Sequence, residues 1–288
     1  MGALIVRRCM WLLVAAAVWL PGAATAVADG GRLALVIGNA AYRQAPLKNP
    51  VNDARAVASA LRGLGFDVIM RENADLGEML EAIRQFSILA RRNQVRLLYY
   101  AGHGAQVEGR NYLIPVDEKI SGDDDIARKS ADMSELVSQL GELQEGTNIL
   151  ILDACRNNPY KAAAFKTDDG RVIRLRGGLR SAVNNGLARV QAPNGTVVAF
   201  STAPGSIAMD GQNYANSLYT KHLLDHIGTP GLPVEQLFKR VRIAVARDSR
   251  RMQIPWESSS LMGEFCFRPG NGGACNVGGG IGLGVTPR

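Results

Sequence analysis

Apolar runs and amphipathic stretches alternate along most of the chain. The apolar runs continue on both sides of an extended chain, as is typical of strands buried in a parallel sheet, and they lie at 32–38, 66–70, 95–101, 147–153, 195–201 and 261–267. Helical periodicity predicts helices at 76–91, 132–143, 214–227 and 233–247, and Asn49-Pro50 marks the start of another. This alternation predicts an α/β fold in which helices cover both faces of a mostly parallel sheet.

Two local patterns support finer predictions. Glu108-Gly109-Arg110-Asn111 is a turn signal after the third strand and predicts a β-hairpin. In the helix at 76–91, we expect the apolar residues to pack inward, and these are Met79, Leu80, Ile83, Phe86 and Leu89.

Residues that can do chemistry follow two of the predicted strands. One strand ends in Asp153-Ala154-Cys155, and another is followed by Gly102-His103-Gly104. Parallel strands share one carboxyl edge, where open α/β sheets bind ligands, so we expect the loops there to bring Asp53, His103 and Cys155 together. A thiol needs a neighbouring base to become a thiolate, and histidine is the usual partner. A buried core cysteine would be the simpler interpretation of Cys155 alone, but the histidine favours a Cys–His dyad.

The sequence blocks around these two residues carry a resemblance. Tyr99-Tyr100-Ala101-Gly102-His103-Gly104 and Asp153-Ala154-Cys155-Arg156-Asn157-Asn158, about 50 residues apart, resemble the caspase and metacaspase cysteine peptidases. The likeness extends through Val36-Ile37-Gly38-Asn39, 111–117 and Pro255-Trp256-Glu257-Ser258, and so covers most of residues 32–267. It implies a three-layer caspase-like sandwich and a cysteine endopeptidase that acts on peptide or protein substrates.

The resemblance also implies roles for the residues at the carboxyl edge. Cys155 would attack a carbonyl carbon as a thiolate, and His103 would act as the general base or protonate the leaving amine. The backbone N–H groups of Gly104 and Cys155 would stabilise the oxyanion, as their counterparts do in the family. The sequence offers no obvious side chain to orient His103, and a backbone carbonyl could serve.

Substrate preference depends on the acids beside the dyad. Animal caspases have glutamine two residues before the nucleophile, whereas Asp153 stands there in this chain, as an acid does in metacaspases, and Asp53 matches their second pocket acid. Two carboxylates attract a cation, so we expect cleavage after arginine or lysine. The alternative role for Asp53 is to support its helix N-terminus. Asp210 could be a third pocket acid or a turn residue, and Ala101 stands where metacaspases commonly carry serine.

Metal binding has weaker support in the sequence. His222 and His226 lie four residues apart on a predicted helix, but no third ligand accompanies them, and a solvated helix face is the preferred interpretation. Asp123-Asp124-Asp125 resembles part of the calcium site of some metacaspases, although the remaining acids of that site are not recognisable. We therefore expect no metal and no cofactor, with calcium dependence as the alternative.

The first 28 residues have the pattern of a signal peptide. Arg7-Arg8 is followed by an apolar core at 10–20 and small residues at 24–28. The pattern predicts export to the periplasm or the medium, and the alternative is an uncleaved N-terminal anchor. Because the apolar core is short for a membrane span, we expect no stable membrane insertion.

The rest of the chain divides into a peptidase domain at 29–267 and a Gly-rich tail at 268–288, which we expect to be flexible. Within the domain, residues 161–192 predict an irregular basic loop. Between 156 and 190, eight Lys or Arg face only two acids, against a formal net charge of +7 for the whole chain. In the resembling family this segment is the linker cut during activation, so self-cleavage within 161–190 is expected.

Two other classes of function stay open at this point. One is a catalytically silent caspase-like scaffold, and the other is binding of anionic polymers through the basic loop. We expect no nucleic-acid partner.

After signal cleavage three cysteines remain, and in an oxidising compartment Cys266 and Cys275 could close a small loop, leaving Cys155 free.

Overall fold

The structure is a computed structural model. It describes residues 31–43, 45–117, 119–143, 145–155, 165–166, 172–173, 187, 190, 192–203, 215–270 and 275. The predicted signal peptide, most of the predicted basic loop, Asp210 and most of the predicted tail lie outside the described residues. Among the helices that are described, none has the length and apolar character that a membrane span needs.

Helices and strands alternate much as the apolar pattern predicts. In chain order they are β1 Arg32–Gly38, α1 Pro50–Gly63, β2 Phe66–Glu72, α2 Leu76–Ala90, β3 Val95–Val107, β4 Arg110–Leu113, α3 Asp123–Lys129, β5 Ala131–Asp132, α4 Met133–Gly141, β6 Thr147–Cys155, β7 Phe165–Lys166, β8 Val172–Ile173, β9 Thr196–Phe200, α5 Leu218–Ile227, α6 Val234–Asp248 and β10 Trp256–Ser259.

The central sheet has the strand order β10-β9-β6-β3-β1-β2. The five strands from β9 to β2 are parallel to one another, and β10 pairs antiparallel with β9 at one edge. Beyond the main sheet, the last part of β3 pairs with β4, and β4 pairs with β5, both antiparallel. The prediction of a mostly parallel sheet is confirmed.

Both faces of the sheet are covered by helices, which gives three layers. Alternate residues of each strand face opposite sides because the side-chain period of a strand is two. Ala34 and Val36 of β1 contribute to a core with α1, α5 and α6, whereas Leu35 and Ile37 contribute to a second core with α2 and α4. The predicted sandwich is therefore confirmed.

Two finer predictions about elements are wrong. The last strand lies at β10, not at 261–267, and Phe265 and Phe267 are buried because they pack on the core beside α5 and α6. In α2, Leu80 and Leu89 are 49% and 37% exposed. Alanines take buried positions instead, and the buried residues of α2 are Met79, Ala82, Phe86 and Ala90.

The hairpin after β3 forms where its turn residues predict. Glu108 and Gly109 both have positive φ, 49° and 80°, as the two central residues of a type I′ turn require. Pairing with β4 extends β3 to 13 residues. His103 lies within this strand, where it pairs with the end of β6, and not in the loop where the sequence placed it.

A disulfide joins Cys266 and Cys275 in the structure. The two residues are nine positions apart, and both are buried. The pairing that the sequence suggested is thus present, and it consumes two of the three cysteines that follow the predicted signal peptide.

The disulfide leads to a labelling prediction. Without reductant, Cys266 and Cys275 should resist iodoacetamide, whereas Cys155 should react readily, because the catalytic thiol that the sequence predicts would be accessible and activated. Peptide mapping by mass spectrometry measures the label at each cysteine, with Cys155→Ser as the matched control. Cys155 found in a disulfide with either partner in active protein would contradict this expectation.

Candidate active site

His103 and Cys155 lie side by side at the carboxyl edge of the sheet. β3 and β6 are parallel neighbours, and their register makes the Cα atoms of His103 and Cys155 partners. The same register pairs Ala101 with Asp153. Neighbouring strands are about 4.8 Å apart, so the backbones of the histidine and the cysteine lie directly next to each other.

Close packing surrounds Gly104, the residue after the histidine. A Cβ atom added there would lie 3.2 Å from Leu187 Cδ2 and 3.4 Å from Ala154 Cβ. Contacts at 3.2 Å are tighter than most real Cβ atoms make, so a side chain at Gly104 would push against its neighbours. Glycine thus lets the backbone beside His103 come close to the strand that ends in Cys155.

A backbone carbonyl orients the imidazole of His103. Its Nε2 lies 2.7 Å from the carbonyl oxygen of Ala45, which can only accept, so Nε2 carries the proton. In the neutral ring Nδ1 then keeps the lone pair. Ala45 has a φ of 59°, a left-handed conformation that costs an L-residue about 1–2 kcal/mol. The backbone partner that the sequence allowed for is present in the structure.

Two tyrosines hold the backbone on both sides of His103. The His103 N–H donates to the Tyr42 hydroxyl at 2.9 Å, and the Tyr100 hydroxyl donates to the His103 carbonyl at 2.7 Å. The rings of Tyr42 and His103 also pack, with centroids 4.3 Å apart. At Gly102, φ is 155° and a Cβ atom would lie 2.6 Å from one tyrosine hydroxyl and 2.7 Å from the other. Sequence reasoning missed Tyr42, which belongs to the same loop as Ala45.

Burial sets the protonation state of the histidine. His103 is 4% exposed. Burial lowers the pKa of His103, and the hydrogen bond to Ala45 raises it by a smaller amount. The imidazole is therefore neutral at pH 7, and its Nδ1 can take a proton from a thiol.

The structure brings Asp53 and Asp153 together at the start of α5. Asp53 lies in the first turn of α1 and accepts from the backbone N–H of Ser217 at 2.9 Å. Asp153, near the end of β6, accepts from the hydroxyls of Ser217 and Thr220. Both acids are buried, at 1% and 8% exposure. Ser217 and Thr220 were not predicted, and their only sequence signal is that serine is a favoured N-cap residue.

His222, the first of the two histidines on α5, contacts two carboxylates of this chain. His222 is buried, and its Nδ1 and Nε2 lie 3.1 and 2.9 Å from carboxylate oxygens of Asp225 and Asp248. The expectation of a solvated face is therefore wrong for His222, because its ring joins α5 to the end of α6. Within the described part of the chain, no group of three or more His, Cys, Asp or Glu could hold a metal ion.

Asp123-Asp124-Asp125 forms the first turn of α3. Asp125 accepts from the Ser121 N–H at 3.0 Å and pairs with Arg128 and Lys129. The hydrogen bond from Ser121 contributes most to holding the pKa of Asp125 below its usual range. These contacts give Asp125 a local structural role at the helix start.

The fold and the paired His and Cys strands define a caspase-type domain, and sequence comparison agrees. The family model described as the caspase domain, Peptidase C14, matches residues 31–266. This chain belongs to the caspase family of cysteine peptidases.

Curated relatives are distant. The mucosa-associated lymphoid tissue lymphoma translocation protein 1 of Homo sapiens is 28% identical over 199 residues, which cover 68% of this chain and 22% of that protein. Caspase-1 of Rattus norvegicus is 22% identical over 254 residues, 83% of this chain and 60% of the relative. The chain thus spans about a fifth of the human relative and three fifths of the rat one.

Among solved structures, caspase-1 from Spodoptera frugiperda superposes with a TM-score of 0.59 at 18% sequence identity. The match covers 85% of this chain and 92% of the insect protein. At this identity the likeness shows the fold.

Proposed function

We propose that this protein is a cysteine endopeptidase that cleaves peptide bonds after arginine or lysine. The observation that carries the proposal is the register of β3 and β6, which sets His103 beside Cys155. Membership of the caspase family supports the reaction class. The buried acids at the start of α5 support the preference for a basic side chain.

The geometry supports a two-step reaction. With Nε2–H held by Ala45, Nδ1 of His103 is the nitrogen that would take the thiol proton of Cys155. The thiolate would attack the carbonyl carbon, backbone N–H groups would stabilise the oxyanion, and the imidazolium would return its proton to the leaving amine. Water would then hydrolyse the thioester and release the free thiol.

Charge at the pocket supports the choice of substrate. Asp53 accepts from the backbone N–H of Ser217, and Asp153 accepts from the hydroxyls of Ser217 and Thr220, so each of these donors is a neutral group. Two neighbouring carboxylates attract a guanidinium or ammonium group and repel an acidic side chain.

A peptide panel tests the proposal. Purified protein would be incubated with peptide amides that differ only in arginine, lysine, asparagine or aspartate before the amide, with Cys155→Ala as the matched control. We expect release of the amide from the arginine and lysine members by wild type alone. Equal activity in Cys155→Ala, or release only after aspartate or asparagine, would contradict the proposal.

The same specificity predicts cleavage of the chain by itself. Arg171, Arg174, Arg176, Arg180 and Arg189 occur in the predicted basic loop, where an exposed segment would be accessible. Wild-type protein should accumulate fragments cut after these residues, whereas Cys155→Ala should stay intact on the same gel. N-terminal sequencing of the new fragments locates the cuts. Identical fragmentation of the two proteins would show that another peptidase makes them.

A further inference from the structure

A chain of buried hydrogen bonds links the sheet, the first turn of α5 and both candidate pocket acids. The hydroxyls of Tyr99 and Thr220 are 2.6 Å apart, and the Thr220 hydroxyl lies 2.8 Å from Asp153 Oδ2. The Ser217 hydroxyl donates to the same oxygen, and the Ser217 N–H donates to Asp53 Oδ1 at 2.9 Å. Tyr99, Ser217 and Thr220 are all at most 4% exposed.

The donors and acceptors in this chain have a fixed direction. A carboxylate only accepts, so the Thr220 hydroxyl donates to Asp153, and the Tyr99 phenol must in turn donate to Thr220. Burial raises the pKa of Tyr99, and the charges of Asp53 and Asp153 raise it further, so the phenol keeps its proton. The Thr220 N–H donates to the Ser217 hydroxyl, which makes Ser217 the N-cap of α5.

The hydrogen bonds from Ser217 and Thr220 restrict both the position and the orientation of the Asp53 and Asp153 carboxylates. Both hydroxyls meet Asp153 at one oxygen, Oδ2, which fixes the rotation of the carboxylate about its terminal bond. Ser217 contacts both acids, so it also fixes their separation. α5 is itself held firmly, since Leu218, Tyr219 and Leu223 are buried in the core. An ion pair with a planar guanidinium is strongest when its oxygens are held in such a fixed geometry.

We propose that Ser217 and Thr220 are positioning residues that set the preference for a basic side chain by holding the carboxylates of Asp53 and Asp153. The inference deepens the proposed function and rests on it. The first turn of α5 acts through the two acids, and it has no role in the chemistry of the thiol.

Thr220→Val tests this role because valine keeps the shape of threonine and removes the hydroxyl. We expect kcat/KM for an arginine peptide amide to fall about tenfold, mainly through KM, because the pocket loses orientation of one acid. The rate at which iodoacetamide alkylates Cys155 should change less than about twofold, since that reaction needs no basic side chain. Thr220→Ser restores a hydroxyl at the same place and should recover most of the lost kcat/KM.

Ser217 provides an independent variant. Ser217→Ala should also lower arginine turnover selectively, and Ser217→Thr, which keeps both the cap and the hydroxyl, should recover it. The matched control is Thr196→Val, because the Thr196 hydroxyl is also buried and accepts from Asn148. Thr196 is the first residue of β9, so it lies at the amino ends of the parallel strands, opposite the candidate site. In this control, the ratio of kcat/KM on the arginine peptide amide to the rate of Cys155 alkylation should equal the wild-type ratio.

The outcomes separate the two proposals. Wild-type protein that leaves arginine and lysine amides intact overturns the proposed function, and the positioning role falls with it. Wild-type protein that cleaves them, while Thr220→Val and Ser217→Ala keep the wild-type ratio of turnover to alkylation, overturns the positioning role alone. A parallel loss of both rates in the variants overturns it as well, because the residues would then support the whole fold.

Discussion

Replacing either Cys155 or His103 with alanine is expected to remove nearly all peptidase activity, and replacing both should cost little more than replacing one. Thiolate and imidazole act as a unit, so the first substitution already disables the pair. The register of β3 and β6 is the structural reason to treat the two residues as a unit. The measurement is kcat/KM on an arginine peptide amide for the two single variants and the double variant.

His226→Ala is the matched control for the histidine, since His226 lies in the last turn of α5, outside the candidate site, and should keep wild-type activity. The expected loss in each single variant is more than tenfold, a rise of at least about 1.4 kcal/mol in the barrier. A single variant that retains more than about a tenth of wild-type turnover would contradict the dyad.

Asp153→Asn is expected to give the second large effect, on substrate preference. Asparagine keeps the shape of the side chain and can still accept from the hydroxyls of Ser217 and Thr220, but it removes one of two charges around the bound cation. The loss should be about 2–4 kcal/mol in transition-state binding, or roughly 30- to 1000-fold in kcat/KM on arginine and lysine peptides. Alkylation of Cys155 by iodoacetamide should change far less.

Asp75→Asn is the matched control for this substitution. Asp75 caps α2 on the other face of the sheet, and asparagine caps a helix about as well as aspartate. That control should keep wild-type turnover. If Asp153→Asn lowers peptide turnover and thiol reactivity equally, Asp153 stabilises the fold and does not set the substrate preference. Efficient cleavage after aspartate would overturn the pocket assignment while leaving the dyad untouched.

Apolar patterning was enough to predict most of the sheet. β1 begins and ends where its apolar run does, because a strand buried on both faces needs continuous apolar sequence. The apolar pattern wrongly predicted a strand at 261–267. Phe265 and Phe267 are buried in the core there without forming a strand of the sheet. The pattern also failed to show that β3 continues past Ala101, because that extension depends on pairing with the end of β6 as far as His103 and then with β4, and not on the apolar character of the residues themselves.

The sequence predicted those residues of the candidate site whose side chains are chemically distinctive. A cysteine and a histidine at the ends of neighbouring strands stand out in the sequence, and so do nearby carboxylates. Their supporting partners do not. Ser217 is 164 positions from Asp53 and 64 from Asp153, and Ala45 contributes only a carbonyl that every residue has. Such contacts depend on how α5 and the loop after β1 pack, which only the folded chain fixes.

Cys155 is proposed to be a nucleophile beside a pocket that takes a basic side chain. An arginyl chloromethyl ketone tests both parts at once, because its side chain fills the pocket while the thiolate displaces chloride and forms a stable thioether. Intact-mass measurement and peptide mapping should find one adduct per chain, on Cys155, and none in Cys155→Ala. The adduct should form much faster than with the matched aspartyl chloromethyl ketone. An adduct on another residue, or faster labelling by the aspartyl reagent, would contradict the account.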